Sequence, residues 1–155
     1  MQVKDGPVFF INISPVQKAA CLKVTGIWQV RFEKGECKMY EKEIEQLQSM
    51  IDESNRIVFF GGAGVSTESN IPDFRSATGI YHQKYKYSPE QVVSHSFFMK
   101  YPEAFYEFYK EKMMILDAKP NAAHLKLAEL EQAGKLQAVV TQNIDGLHQA
   151  AGSRN

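Results

Sequence analysis

The 155 residues carry 18 Lys and Arg against 18 Asp and Glu, with 44% hydrophobic and 23% charged positions. That is the composition of one globular domain, and the balanced charge removes any bulk electrostatic case for nucleic acid or an anionic membrane surface. No apolar run is long enough to span a membrane, and the two cysteines, Cys21 and Cys37, can form one disulfide at most and no four-cysteine zinc site.

The expectation is a soluble, cytoplasmic protein without nucleic-acid or membrane partners and with no metal site of its own in this stretch. Residues 1–38 hold apolar scraps at Val8–Ile11 and Ile27–Phe32, interrupted by Pro7, Pro15 and Gly26. Lys4-Asp5-Gly6 ahead of so short an apolar run argues against a signal peptide. A small β-hairpin or an extra strand is one reading of this segment. The preferred one is translated upstream sequence, because Lys34-Gly35-Glu36 can be encoded by a purine-rich ribosome-binding tract at a suitable distance before Met39. The chain then divides into an unassigned extension, 1–38, and a partial dinucleotide-binding domain, 39–155.

From Tyr40 to Ser54 the spacing predicts a packing helix: Ile44, Leu47, Met50 and Ile51 recur every three or four residues. Asn55 is a plausible stop. Ile57-Val58-Phe59-Phe60 reads as a strand buried on both faces, of the kind parallel sheets use. It runs into Gly61-Gly62-Ala63-Gly64, where missing side chains let backbone N–H groups approach a ligand. Val65 and Ser66 should open a helix whose N-terminus favours phosphate. The glycine loop alone is a weak signal, since Thr67 stands where a full dinucleotide fingerprint needs its third glycine. Ile71-Pro72-Asp73-Phe74-Arg75 then adds a rigid turn, a carboxylate, an aromatic and a guanidinium suited to pyrophosphate.

A polar, tyrosine-rich stretch to Tyr87 reads as a loop with short helices covering the site. Phe97, Phe98, Tyr101, Phe105, Phe108 and Tyr109 lie at helical spacing and are read as a packed aromatic face. Asn121 caps a helix with Leu125, Leu127 and Leu130 on its buried side, and Gly134 ends it. Leu136–Thr141 is the next strand, with Gln142-Asn143-Ile144-Asp145 at its carboxyl end. Strands alternating with helices predict an α/β fold, a Rossmann-like parallel sheet with helices on both faces and its ligand at the strands' carboxyl ends.

Gly62-Ala63-Gly64-Val65-Ser66 with Ile71-Pro72-Asp73-Phe74-Arg75, followed in order by Thr141-Gln142-Asn143-Ile144-Asp145-Gly146-Leu147-His148, resembles the sirtuins, NAD-dependent protein deacylases. The likeness covers about Met39 to Asn155. It implies NAD as cofactor and acyl-lysine proteins as partners. Gly62, Ala63, Gly64 and Ser66 would line the phosphate loop, with Asp73 and Arg75 near the pyrophosphate and ribose and Phe74 shielding the reacting ribose face. Gln142 would meet the ribose hydroxyls, and Asn143, Ile144 and Asp145 would form the nicotinamide pocket, with Asn143 and Asp145 as the catalytic pair. Asp145 could also be read as no more than a helix cap. Asn70 replaces the family's usual glycine, and asparagine tolerates the positive φ such a turn needs.

The family's general-base histidine lies a few residues beyond an Ala-Gly-Ser like Ala151-Gly152-Ser153, and its zinc ribbon lies further on. The sequence thus reads as a truncated sirtuin domain without the zinc-ribbon small domain, inactive alone and prone to aggregate. His124 matches a family histidine and is read as a structural hydrogen-bonding group. Tyr109 and Lys112 stand where acid-preferring members carry Tyr-x-x-Arg, which implies preference for acetyl over succinyl groups. The alternatives are a non-catalytic NAD- or ADP-ribose-binding module, or another NAD-dependent enzyme such as a dehydrogenase.

Overall fold

The computed structural model describes Phe10–Ile11 and residues 41–155. Three parallel strands form one sheet in the order β1 (Phe10–Ile11), β2 (Ile57–Gly61) and β3 (Leu136–Thr141). Phe10 pairs with Val58 on one side of β2, and Val58 pairs with Ala138 on the other. The two-residue β1 supplies the strand that the extra-strand reading of the N-terminal segment expects. The boundary placed between residues 38 and 39, and the rest of that segment, fall outside the described residues.

Helix α1 (Glu41–Glu53) docks through Ile51 and Leu47 onto a core made with Ile57, Phe59, Val65, Leu127, Leu130 and Leu136. Phe59 is among its largest fully buried side chains, and its burial contributes about 2–3 kcal/mol. The last carbonyls of α1 have no intrahelical partner; Lys135 Nζ donates to the Ile51 and Asp52 oxygens at 2.9 and 2.8 Å, and Ser54 Oγ donates to Met50. β2 is buried on one face only: Ile57 and Phe59 point into the core, whereas Phe60 is 40% exposed. The burial on both faces expected of this run is not found: burial alternates, as the period of two along a strand dictates.

After β2 the chain makes a 3₁₀ helix, Ala63–Ser69, where the sequence suggests an ordinary helix start. It ends at Asn70 with φ 63° and ψ 21°, the left-handed conformation expected of that residue. The helical lobe comprises α2 (Pro89–Val92), α3 (His95–Lys100), α4 (Pro102–Phe108) and a π turn, Tyr109–Met113. Phe108, Val92 and Ile80 form its centre, with Phe74, Tyr85, Tyr87, Phe97 and Phe105 packed around them. Tyr101 departs from the aromatic face and is exposed, because it ends α3 and begins α4 and so belongs to neither helix's buried stripe.

α5 (Ala122–Gln132) starts on Asn121, whose Oδ1 accepts from Ala123 and His124 N–H at 3.0 and 3.3 Å. Leu127 and Leu130 are buried as expected, while Leu125 is 49% exposed. The buried face runs through His124, Leu127, Ala128 and Leu130, and position 125 lies about 100° around the helix from 124. Gly134, φ 73°, lets the chain turn into β3.

Candidate functional site

β2 and β3 end side by side. Gln142 N–H donates to the Gly61 carbonyl at 3.0 Å, carrying the ladder one step past the strand ends. A Cβ on Gly62 would stand 3.0 Å from Gln142 Oε1, tighter than the neighbour tolerates without moving. The first N–H groups of the following turn, those of Ala63 and Gly64, have no intrahelical partner and are available to an anion.

The two sequence motifs meet on Ser66, which is 0% exposed. Its Oγ donates to Asp145 Oδ2 at 2.6 Å and accepts from Asn143 Nδ2 at 3.1 Å. Asn143 Nδ2 also reaches the Gly62 carbonyl at 3.2 Å, and its own N–H is held by Thr141 Oγ1 at 3.0 Å. Asp145 Oδ1 accepts from Leu147 N–H, 2.9 Å, at the first turn of α6 (Leu147–Ala151). The helix-cap reading of Asp145 is found in one oxygen, and the other oxygen joins the Ser66 network. The side chain between them, Ile144, is 74% exposed.

Asp73 is buried, and its Oδ1 accepts from the Ser76 N–H at 3.2 Å and the Ser76 hydroxyl at 2.5 Å. This closes a turn that presents Phe74 and the exposed Arg75. The Ile80 and Tyr81 N–H groups bond back to the Asp73 and Phe74 carbonyls at 2.7 and 3.0 Å. Gly79 fits beneath Phe74 so closely that a Cβ would meet the Phe74 carbonyl carbon and oxygen at 2.8 Å. Tyr81 lies against the Phe74 ring, centroids 5.5 Å apart.

Tyr109 stacks on Phe105, and Lys112 Nζ pairs with Glu111 Oε1 at 2.9 Å. Among the described residues no hydrogen bond or ring contact links either of them to the Ser66 network. No group of three or more His, Cys, Asp or Glu among those residues is placed to hold a metal ion, so zinc is assigned to no residue here.

Two histidines lie behind the network. His124 is fully buried, its Nδ1 accepting from Asn121 N–H at 3.3 Å to complete a capping box. This is the structural hydrogen-bonding role read from the sequence. Its ring stands 4.7 Å from that of His148, which also packs against Phe59 at 5.8 Å. Burial first, and then His148, lower the His124 pKa to about 4 against the pull of Asp145. Burial likewise lowers that of His148, and Asp145 opposes it. Both rings are neutral near pH 7. The pairing was invisible in the sequence, as was the bond from Asn121 Nδ2 to the Val65 carbonyl, 2.7 Å.

A parallel sheet with a glycine turn at one strand end and a polar network across two such ends defines an α/β dinucleotide-binding fold. The Sir2 family model matches residues 62–155, and the chain belongs to that family. Among curated relatives, the NAD-dependent protein deacetylase of Clostridium perfringens is 61% identical over 117 residues, covering 74% of this chain and 48% of the relative. That of Clostridium acetobutylicum is 62% identical over 115 residues, covering 73% and 47%. The chain thus spans about half the length of the curated relatives it matches. A solved Sir2 enzyme structure superposes with a TM-score of 0.67 at 48% identity, covering 74% of this chain and 44% of that one. A Sir2 homologue in complex with ADP-ribose gives 0.63 at 43% identity, covering 72% and 44%. Sir2 bound to an acetylated peptide gives 0.59 at 42%, covering 72% and 42%.

Proposed function

We propose that residues 39–155 supply the NAD-binding part of an NAD-dependent protein lysine deacetylase. The observation that carries this reading is the part-buried link from Ser66 to Asp145 and Asn143, which makes one site of the glycine turn and the β3 terminus. Bound there, NAD would supply an anomeric carbon from which nicotinamide leaves and to which the oxygen of an acyl-lysine adds. One water would be consumed in freeing the amine, and the products would be O-acyl-ADP-ribose, nicotinamide and free lysine.

The residues divide this work by position. Ala63 and Gly64 N–H groups, flanked by Gly62, face the phosphates, and Arg75 adds charge and donors to the pyrophosphate side. Asp73 acts through the Ser76 turn that presents Phe74 and Arg75, and Phe74 screens the reacting ribose face from water. Gln142, beside Gly62, meets ribose hydroxyls. Asn143 spends Nδ2 on Gly62 and Ser66, which leaves its Oδ1 to accept from the nicotinamide amide. Ile144, exposed between two held neighbours, offers an apolar wall. Asp145 fixes Ser66 and Asn143 so that the carboxamide is gripped in the orientation that favours departure of the ring.

In this reading the general base and the zinc site belong to sequence beyond these residues, the partners are acyl-lysine proteins and the location is cytoplasmic. Tyr109 and Lys112, in the helical lobe, face the acyl group. The test is nicotinamide release from NAD by the full-length protein with an acetyl-lysine peptide. Asp145→Asn should abolish release while ADP-ribose still binds. Binding of ADP-ribose with no peptide-dependent release in the unmodified protein would favour a non-catalytic binding module instead.

A further inference from the structure

The turn that carries Gly62, Ala63 and Gly64 is fastened at two carbonyls. The Gly62 oxygen accepts from Val65 N–H at 3.0 Å and from Asn143 Nδ2 at 3.2 Å. The Val65 oxygen accepts from Asn121 Nδ2 at 2.7 Å, from a residue 56 positions away. Asn143 belongs to the second motif. Asn121 belongs to neither motif, and among the described residues its hydrogen bond to the turn is the one to Val65.

We propose that Asn121 is a positioning residue for the dinucleotide turn, setting the direction of the Ala63 and Gly64 N–H groups by holding the Val65 carbonyl. The inference rests on the reading that this turn meets NAD phosphates. The side chain is committed at both ends, since Oδ1 caps α5 through Ala123 and His124 while Nδ2 reaches Val65. The Asn121 N–H is itself held by His124 Nδ1 at 3.3 Å, so the amide cannot turn away without breaking the capping box. The rigid α5 terminus thereby acts as a bracket for a turn whose glycines would otherwise sample several backbone conformations. Asparagine fits this double duty because serine and aspartate cap a helix equally well but lack a donor that reaches Val65.

The two duties separate by substitution. Asn121→Ser and Asn121→Asp keep a good cap and remove the donor; Asn121→Ala removes both. ADP-ribose affinity is measured by calorimetry on the full-length protein well below the melting temperature of every variant, with thermal melts in parallel. The positioning role requires Ser and Ala variants to weaken ADP-ribose alike, roughly five- to tenfold in Kd, the scale of one hydrogen bond. The Asp variant should be weakened further by its added negative charge. The Ala variant, which loses the cap as well as the Val65 bond, should lose clearly more thermal stability than the Ser variant. If affinity instead tracks melting temperature, with Asn121→Ser within twofold of the unmodified protein, Asn121 is only a helix cap. An unmodified protein that does not bind ADP-ribose would overturn the dinucleotide reading itself, and this inference with it.

Discussion

Acid should destabilise this protein through its buried histidine pair. His124 has a pKa of about 4 in the folded chain against 6.5 when unfolded. Between those values the unfolded state binds a proton that the folded state refuses, so falling pH favours unfolding. Near pH 7 the effect is negligible, by about pH 5 it amounts to about 2 kcal/mol, and it levels off near 3 kcal/mol below pH 4. His148, lowered in the same direction by burial, adds to the loss, and the attraction of Asp145 trims both. The clean perturbation is His124→Gln, because glutamine at the third helical position also completes a capping box while removing the titration. Urea melts of both proteins between about pH 7 and pH 5 measure the difference. The unmodified protein should lose about 2 kcal/mol more than the variant across that range. Parallel stability profiles, within about 0.5 kcal/mol, would refute the claim that His124 is held neutral by burial.

Three further outcomes follow from the same geometry. Ser66→Ala strips the Asp145 and Asn143 side chains of their shared, fully buried partner; it should cost about 1–3 kcal/mol in chemical denaturation and raise KM for NAD. Gly79→Ala places a methyl against the Phe74 backbone at 2.8 Å, so it should destabilise by about 1–3 kcal/mol and speed proteolysis within residues 73–82. With Lys112 paired to Glu111 at 2.9 Å, the lysine's charge is partly offset and it lacks arginine's bidentate fork. The full-length protein should therefore show higher kcat/KM for an acetylated than for a succinylated form of one peptide; the reverse order, abolished by Lys112→Ala, would make Lys112 the carboxylate's partner.

Local chemistry was readable before any coordinates. The β-branched and aromatic run at Ile57–Phe60, the cap at Asn121, the left-handed Asn70 and the stop at Gly134 each follow from a few neighbouring residues, and each is found. Leu125 is exposed where helical spacing predicts burial, because a leucine-rich helix offers several candidate stripes and the sheet it packs on selects one. The 3₁₀ form of Ala63–Ser69 reflects tertiary restraint: Asn143 on Gly62 and Asn121 on Val65 tighten a turn that propensity alone leaves open. The motif residues could be named as a site, but the bond that unites them joins positions 79 apart. No periodic pattern encodes such a contact. The edge-on contact of His124 with His148 is hidden for the same reason.

The central claim is that the Gly62–Ser66 turn and the Gln142–Asp145 segment form one dinucleotide site. It is tested most directly by following the backbone amide resonances of Ala63, Gly64, Ser66, Asn143 and Asp145 while ADP-ribose and then NAD are titrated into the full-length protein. Both segments should shift together along a single saturation curve for each ligand, with Asn143 and Asp145 moving further when the nicotinamide is present. Shifts confined to one segment, or absent from both at saturating ligand, would contradict it.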